Sequence, residues 1–324
     1  MANRPIVIAH RGASGARPEH TLAAYELAIA QGADFIEPDL VSTSDGVLVA
    51  RHENEISATT DVAARPEFAG RRARKTIDGV AVEGWFTEDF TLAELQTLRA
   101  RERLPELRPA NAAYDGQFGV PTFAEILALV AAHRVGVYPE TKHPSYFRRI
   151  GLPLEETLFR QIEAAGLDRP DAPLFIQSFE VVNLQALRTT THAPLVQLIA
   201  ATGAPACGGP SYAAMCTPDG LRSVAAYADA IGPDKRLVVG EDGAPTRLVA
   251  DAHAAGLLVH PWTYRAENHF LPAALRCGDG PAAHGDLARE LMWAFDAGVD
   301  GVFCDFPGLA AGVRVAWTGA VTAA

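Results

Sequence analysis

The stretch Leu22-Ala23-Ala24-Tyr25-Glu26-Leu27-Ala28-Ile29-Ala30-Gln31-Gly32-Ala33-Asp34-Phe35-Ile36-Glu37-Pro38-Asp39 contains an Ala-rich amphipathic run, a Gly, and a short apolar run ending in acids. A Gly just past a helix accepts the left-handed conformation that closes it, so a helix ending at Gly32 and a strand at Phe35-Ile36 are predicted. The unit recurs: Leu158 to Gly166 leads into Leu174-Phe175-Ile176, Leu248 to Gly256 into Leu257-Leu258-Val259, and Leu287 to Gly298 into Gly301-Val302-Phe303. Helix alternating with buried strand is the signature of βα units around a parallel sheet.

The strand ends carry a second regularity. Ile6 to Ala9 ends at His10, Phe35-Ile36 at Glu37 and Asp39, Val47 to Ala50 at Arg51-His52, and Val135 to Tyr138 at Glu140. Further on, Phe175-Ile176 meets Gln177-Ser178, Leu257 to Val259 meets His260, and Val302-Phe303 meets Asp305. A barrel of parallel strands builds its active site at their C-terminal ends. With Leu195-Val196-Gln197 added there are eight candidate strands, so the sequence predicts an α/β fold, a (β/α)8 TIM barrel in one domain over 1–324. A ninth apolar run, Leu237 to Gly240, is assigned to a connection.

One connection is too long for a simple barrel. From 53 to 119 no strand and helix of barrel type can be placed. The segment holds a basic cluster (Arg65, Arg71, Arg72, Arg74, Lys75) and a predicted helix, Leu92 to Arg103, capped by Thr91. Loops of this length are usually functional, so it is read as an insertion after the third strand, lying over the barrel mouth. The other reading is a solvated insertion whose arginines pair with nearby acids. Residues from Ala310 onward form either a last helix or a frayed end.

Composition removes several classes. The 324 residues are 48% hydrophobic and 21% charged, with a formal net charge of −11. No apolar window reaches the roughly 20 residues a membrane span requires. The start has no signal-peptide core. A cytoplasmic protein is therefore expected, or a periplasmic or secreted one if a leader has been removed. The acidic balance argues against nucleic acid as a partner, and an anionic substrate must be drawn by local cations or a metal. Cys207, Cys216, Cys277 and Cys304 lack zinc-site spacing and read as plain thiols.

Glu37 and Asp39, two apart in a strand, point the same way, and two such carboxylates repel unless a proton or cation lies between them. Glu140 offers a third carboxylate at a later strand end. Three oxygen ligands without Cys suit Ca²⁺ or Mg²⁺ better than zinc. From spacing alone the same acids read equally well as separate salt-bridge partners. His10 and His52, both at strand ends, could divide general-base and general-acid work. Arg11 beside His10 and Lys142 two residues after Glu140 could hold an anion. His143, His192, His253, His269 and His284 read as bystanders. No nucleotide-binding loop or serine-hydrolase elbow is present.

The run His10-Arg11-Gly12-Ala13-Ser14-Gly15-Ala16-Arg17-Pro18-Glu19-His20-Thr21 resembles the opening motif of glycerophosphodiester phosphodiesterases. So do Gly32 to Leu40 and Asp45 to Glu53, and in order Tyr138 to Lys142, Gln177-Ser178-Phe179, Trp262-Thr263 and Asp300 to Pro307. The long segment after His52 is similar to the larger bacterial members. The resemblance implies His10 and His52 as catalytic acid/base residues and Glu37, Asp39 and Glu140 as ligands of one divalent cation, Ca²⁺ favoured over Mg²⁺. It implies Arg11, Lys142, Gln177 and Trp262 as substrate or phosphate contacts. Two departures stand out: His20 where Asn is commoner, and Glu53 where Asp often follows the second histidine.

The expected activity is metal-dependent hydrolysis of a small-molecule glycerophosphodiester, such as glycerophosphocholine or glycerophosphoethanolamine, to glycerol 3-phosphate and an alcohol. The nucleophile is either water or the neighbouring glycerol hydroxyl. A lysophospholipid or other phosphodiester as substrate on the same fold is the alternative. A non-catalytic phosphodiester-binding protein is a third reading, disfavoured because both histidines and all three acids are present.

Overall fold

In the computed structural model, which describes residues 4–323, the N-terminal strand β1 (Ile6–His10) lies between the second strand and the last one. On one side it runs parallel to β2 (Phe35–Glu37), with His10 opposite Glu37. On the other it runs parallel to Gly301–Cys304, with Ala9 opposite Cys304. Pro38, which has no N–H to donate, separates β2 from β3 (Asp39–Ser42).

The strand β4 (Leu48–Ala50) departs from the expected pattern. It pairs antiparallel with β3, Val49 opposite Val41, and so lies outside the parallel ring. The insertion follows this third strand as expected, but β4 is a hairpin arm. The vacant barrel position belongs to Ala230–Pro233, parallel to Leu195–Ile199 and to Leu258–Val259. That strand is short and contains Ala, Gly and Pro, so no β-branched run announces it. A Cβ on Gly232 would lie 2.6 Å from Leu198 Cδ2, so a larger residue there would push that side chain aside. The surplus run Leu237 to Gly240 belongs to a connection opened by the 3₁₀ turn Lys235–Leu237.

The insertion adds an antiparallel ribbon, β5 (Ala73–Ile77) and β6 (Val80–Gly84), joined through Asp78-Gly79. Both turn residues have positive φ, 48° and 82°, as a tight hairpin turn of this kind requires. The predicted helix 92–103 is only Leu92–Leu95, with the Thr91/Glu94 capping box intact. Beyond it the chain is drawn out: Ala100 bridges to Thr60 and takes the Phe118 carbonyl. Tertiary pairing overrides helix propensity here. Much of the basic cluster is neutralised locally, Arg65 by Asp61, Arg71 by Glu94, Arg72 by Glu83, and Lys75 by Glu88 and Asp89.

The ring continues through β7 (Gly136–Val137), β8 (Glu140–Thr141) and β9 (Ile176–Ser178), followed by the three strands β10 (Leu195–Ile199), β11 (Ala230–Pro233) and β12 (Leu258–Val259). It closes on β13 (Gly301–Cys304), where Asp300 N–H donates to the Val259 carbonyl and Phe303 N–H to Pro261. Inside, Ile8, Tyr138, Val196, Ala230 and Phe303 form a packed layer. His260 lies beneath the mouth in this interior, its Nδ1 2.8 Å from the Tyr138 hydroxyl. The C-terminal segment is the helix Pro307–Ala323. No helix among the described residues is long and apolar enough to cross a membrane, and the four cysteines are free.

Candidate active site

Parallel register assembles the site. His10 is opposite Glu37, Asp39 opposite Glu140, and Glu140 opposite Gln177, so adjacent strands deliver these side chains at one level. With Arg11, His52, Lys142 and Trp262, all except Asp39 line one cavity of about 270 Å³, whose wall also includes Arg103, Phe179 and Arg265. Asp39 lies behind Glu37 and Glu140: one oxygen from each of the three acids falls within 4.8 Å of the others, and all three residues are buried.

The loop after β1 turns sharply to hold this arrangement. Arg11 has φ 61° and Gly12 φ 85°. The Arg11 N–H donates to Glu37 Oε2 at 2.8 Å, and Ser14 Oγ donates to the His10 carbonyl at 2.8 Å. A Cβ on Gly12 would lie 2.6 Å from the Ala24 carbonyl carbon. Gly12→Ala is expected to cost about 2 kcal/mol or more, because positive φ and overlap with backbone add; a melting temperature unchanged from the native chain would contradict this.

Three buried acids with few cations between them raise one another's cost of ionisation. Burial, reinforced by Asp39, holds the Glu37 carboxyl well above its usual range. Burial likewise lifts Glu140 to about 8, against the pull of Lys142 Nζ 2.9 Å away. Asp39 goes the other way: burial opposes its charge, but Lys142, His20 and Arg11 hold it well below the carboxylate norm. His20 Nε2 is 2.8 Å from Asp39 Oδ2, so the departure at position 20 places an imidazole behind the cluster. Asp39 Oδ1 is buried without a hydrogen-bond partner. A hard divalent cation fits this set: oxygen donors, an orphaned lone pair, and charge to be neutralised.

Both histidines are oriented by acids. His10 Nδ1 is 2.7 Å from Asp305 Oδ1, and His52 Nδ1 is 2.9 Å from Glu53 Oε1. At His10 the carboxylate accepts a hydrogen bond, so Nδ1 carries the proton and Nε2 keeps its lone pair, and the contact with Glu53 favours the same tautomer at His52. Burial lowers His10 to about 4, with Arg11 acting the same way and Asp305 opposing. Burial lowers His52 to about 3, with Arg11 and Lys142 adding. Each imidazole is thus neutral near pH 7 and able to take a proton. Arg11 Nη1 is held by Glu19 at 3.0 Å, and its buried Nε lies 3.2 Å from Asp39 without an aligned hydrogen bond.

Sequence reasoning passed over several participants. Asp305 also takes Arg108 Nη2 at 2.5 Å and Arg265 Nε at 3.0 Å, while Arg108 Nε donates to Glu267 at 2.5 Å. Asp305 had a signal, being the polar residue at the end of the last strand. Arg108 had none, since only the fold carries residue 108 to residue 305. His143 is no bystander: Nε2 lies 2.8 Å from Glu53 and Nδ1 2.5 Å from Asp78. Burial would lower its pKa, but those two bonds lift it to about 9. Folded above its unfolded value of 6.5, it stabilises fully below that pH and loses the contribution as pH rises through about 9. This is worth on the order of 3 kcal/mol. The melting temperature is expected to fall over that window, and His143→Gln to flatten the fall; an equal slope in the variant would refute the assignment.

Two neutral imidazoles beside buried acids and the cations Arg11 and Lys142, at the mouth of a parallel barrel, suit hydrolysis of an anionic ester. Residues 10–309 match the glycerophosphoryl diester phosphodiesterase family, and the chain belongs to that family. It is 38% identical to a glycerophosphodiester phosphodiesterase of Arabidopsis thaliana, over 95% of this chain and 85% of that one. A glycerophosphoryl diester phosphodiesterase structure from Silicibacter pomeroyi superposes with a TM-score of 0.72 at 22% identity, covering 98% of this chain and 95% of that one. A phosphodiesterase from Oleispira antarctica, solved with its product sn-glycerol-3-phosphate, superposes with a TM-score of 0.60 at 21% identity, covering 95% and 96%.

Proposed function

We propose that this chain, a single barrel domain with residues 53–119 forming part of its mouth, hydrolyses glycerophosphodiesters to glycerol 3-phosphate and an alcohol. Support comes from the family membership, and from the product seen in the Oleispira relative. The observation that carries the reading is the convergence of His10, His52, Arg11 and Lys142 on the cavity beside the acidic cluster. Glu37, Asp39 and Glu140 would hold one divalent cation, Ca²⁺ or Mg²⁺, supplying Lewis-acid stabilisation of charge at phosphorus.

Arg11 and Lys142 grip the non-bridging oxygens and stabilise the charge that grows there. One histidine takes the proton of the attacking hydroxyl through Nε2. The other gives a proton to the leaving alcohol oxygen as its bond to phosphorus breaks. The anionic substrate itself raises the imidazole pKa values and so supplies that proton-bearing histidine. Gln177 Nε2 steadies Glu37 Oε1 at 3.1 Å while its own Oε1 is free of partners. Trp262, anchored by its Nε1 to the Gly232 carbonyl at 2.7 Å, walls the cavity beside Phe179.

Purified protein should release glycerol 3-phosphate from glycerophosphocholine or glycerophosphoethanolamine. It should lose that activity to a chelator and regain it with Ca²⁺ or Mg²⁺. Full turnover in excess chelator would defeat the assignment of the acidic cluster.

A further inference from the structure

We propose that Asp78 and His143 are positioning residues for His52, so that the tip of the inserted ribbon sets the aim of an acid/base group on the barrel. The inference rests on the reading of His52 given above. His52 and Glu53 lie where the chain leaves β4, outside the parallel ring, so no ladder of strands fixes them. Glu53 Oε1 lies 2.9 Å from His52 Nδ1, yet the Glu53 side chain is 47% exposed, and so exposed a carboxylate can swing. What stops it is the second oxygen: Oε2 is 2.8 Å from His143 Nε2. His143 is held in turn on its far nitrogen by Asp78 Oδ2, at 2.5 Å.

The backbone is built to make this line of four side chains possible. His143 has φ 48° and immediately precedes Pro144, at the start of the helix Pro144–Arg149. Asp78 has the same φ in the β5–β6 turn, so the ribbon reaches back across the molecule to residue 143. Both nitrogens of His143 face carboxylates, which accept only, so both carry protons and the ring is a cation. It joins two acids that would otherwise repel. Three separate segments, 52–53, 78 and 143, thereby fix one imidazole. A ring displaced by an ångström loses much of its rate.

Two roles can be told apart here: aiming His52, or merely fastening the ribbon to the barrel. Asp78→Asn keeps the turn, since Asn tolerates positive φ, and removes the charge. With glycerophosphocholine as substrate, kcat is expected to fall about 10-fold and KM to move less than about twofold, the scale of loss seen when a residue orienting a functional group is removed. In a His52→Ala background the same substitution should change the residual rate by less than about twofold, because the two act through one group. A native kcat in Asp78→Asn overturns the inference, as does an undiminished loss in the His52→Ala background. If Asp78→Asn does not fold, His143→Gln cuts the line one link nearer His52, and the same pair of backgrounds decides. Full activity in His52→Ala alone would overturn the reading of the site, and this inference with it. Loss in His52→Ala with none in Asp78→Asn overturns the inference alone.

Discussion

His10→Ala and His52→Ala should each lower kcat on a glycerophosphodiester by about 10²- to 10⁴-fold, the range of a positioned general acid or base. KM should change far less, because Arg11 and Lys142, proposed to grip the phosphodiester, and the acidic cluster, proposed to hold a cation beside it, stay in place. The two losses need not match. His10 is supported by Asp305, whose charge is shared with Arg108 and Arg265, while Glu53 beside His52 is shared with His143. Steady-state kinetics across pH would separate the roles: losing the base removes the acidic limb of the profile, losing the acid the basic limb. Either variant with native kcat would show that its imidazole moves no proton.

Asp305→Asn should damage both rate and stability. Burial works against the Asp305 charge, yet Arg265, Arg108 and His10 hold it well below its ordinary pKa. The carboxylate also fixes the His10 proton on Nδ1. An amide could turn its NH₂ toward that nitrogen, moving the proton to Nε2 and blocking the base. A loss of about 10²-fold or more in kcat follows if the reaction needs the Nε2 lone pair. Meanwhile Arg108, 4% exposed in its side chain, and Arg265 would lose the anion between them, although Glu267 still faces Arg108. Breaking a buried ion pair from one side costs about 3–5 kcal/mol. Denaturant unfolding should show it, and a native melting curve would mean the arginines are satisfied by Glu267 and solvent.

Much of this was legible because barrel chemistry is written at strand ends. His10, Glu37, Asp39, Glu140 and Gln177 each follow a short apolar run, and parallel register converts that linear placement into a shared level. The misplaced strand shows the limit. Val47 to Ala50 has the apolar run and the terminal His, but an antiparallel hairpin reads the same as a barrel strand in one dimension. Ala230–Pro233 sits between two strands and packs under Leu198, so a ladder and a neighbour, not its own residues, make it extended. Residues that serve through others, Arg108, His143 and Asp78, lack any local mark, since their meaning lies in contacts across the fold.

β1 pairs with β13, placing Ile6 against Gly301, and the Asp34 carboxylate joins Arg314 of the final helix. During synthesis the first strand therefore waits with one edge open until Gly301–Cys304 has emerged. The His10–Asp305 pair spans that seam. Ring closure and completion of the site are one event, late in folding and dependent on a contact of very long sequence separation. A chain stalled or cleaved before Gly301 would hold most of the barrel, expose the β1 edge to other strands, and contain only half of the pair that holds His10 in place.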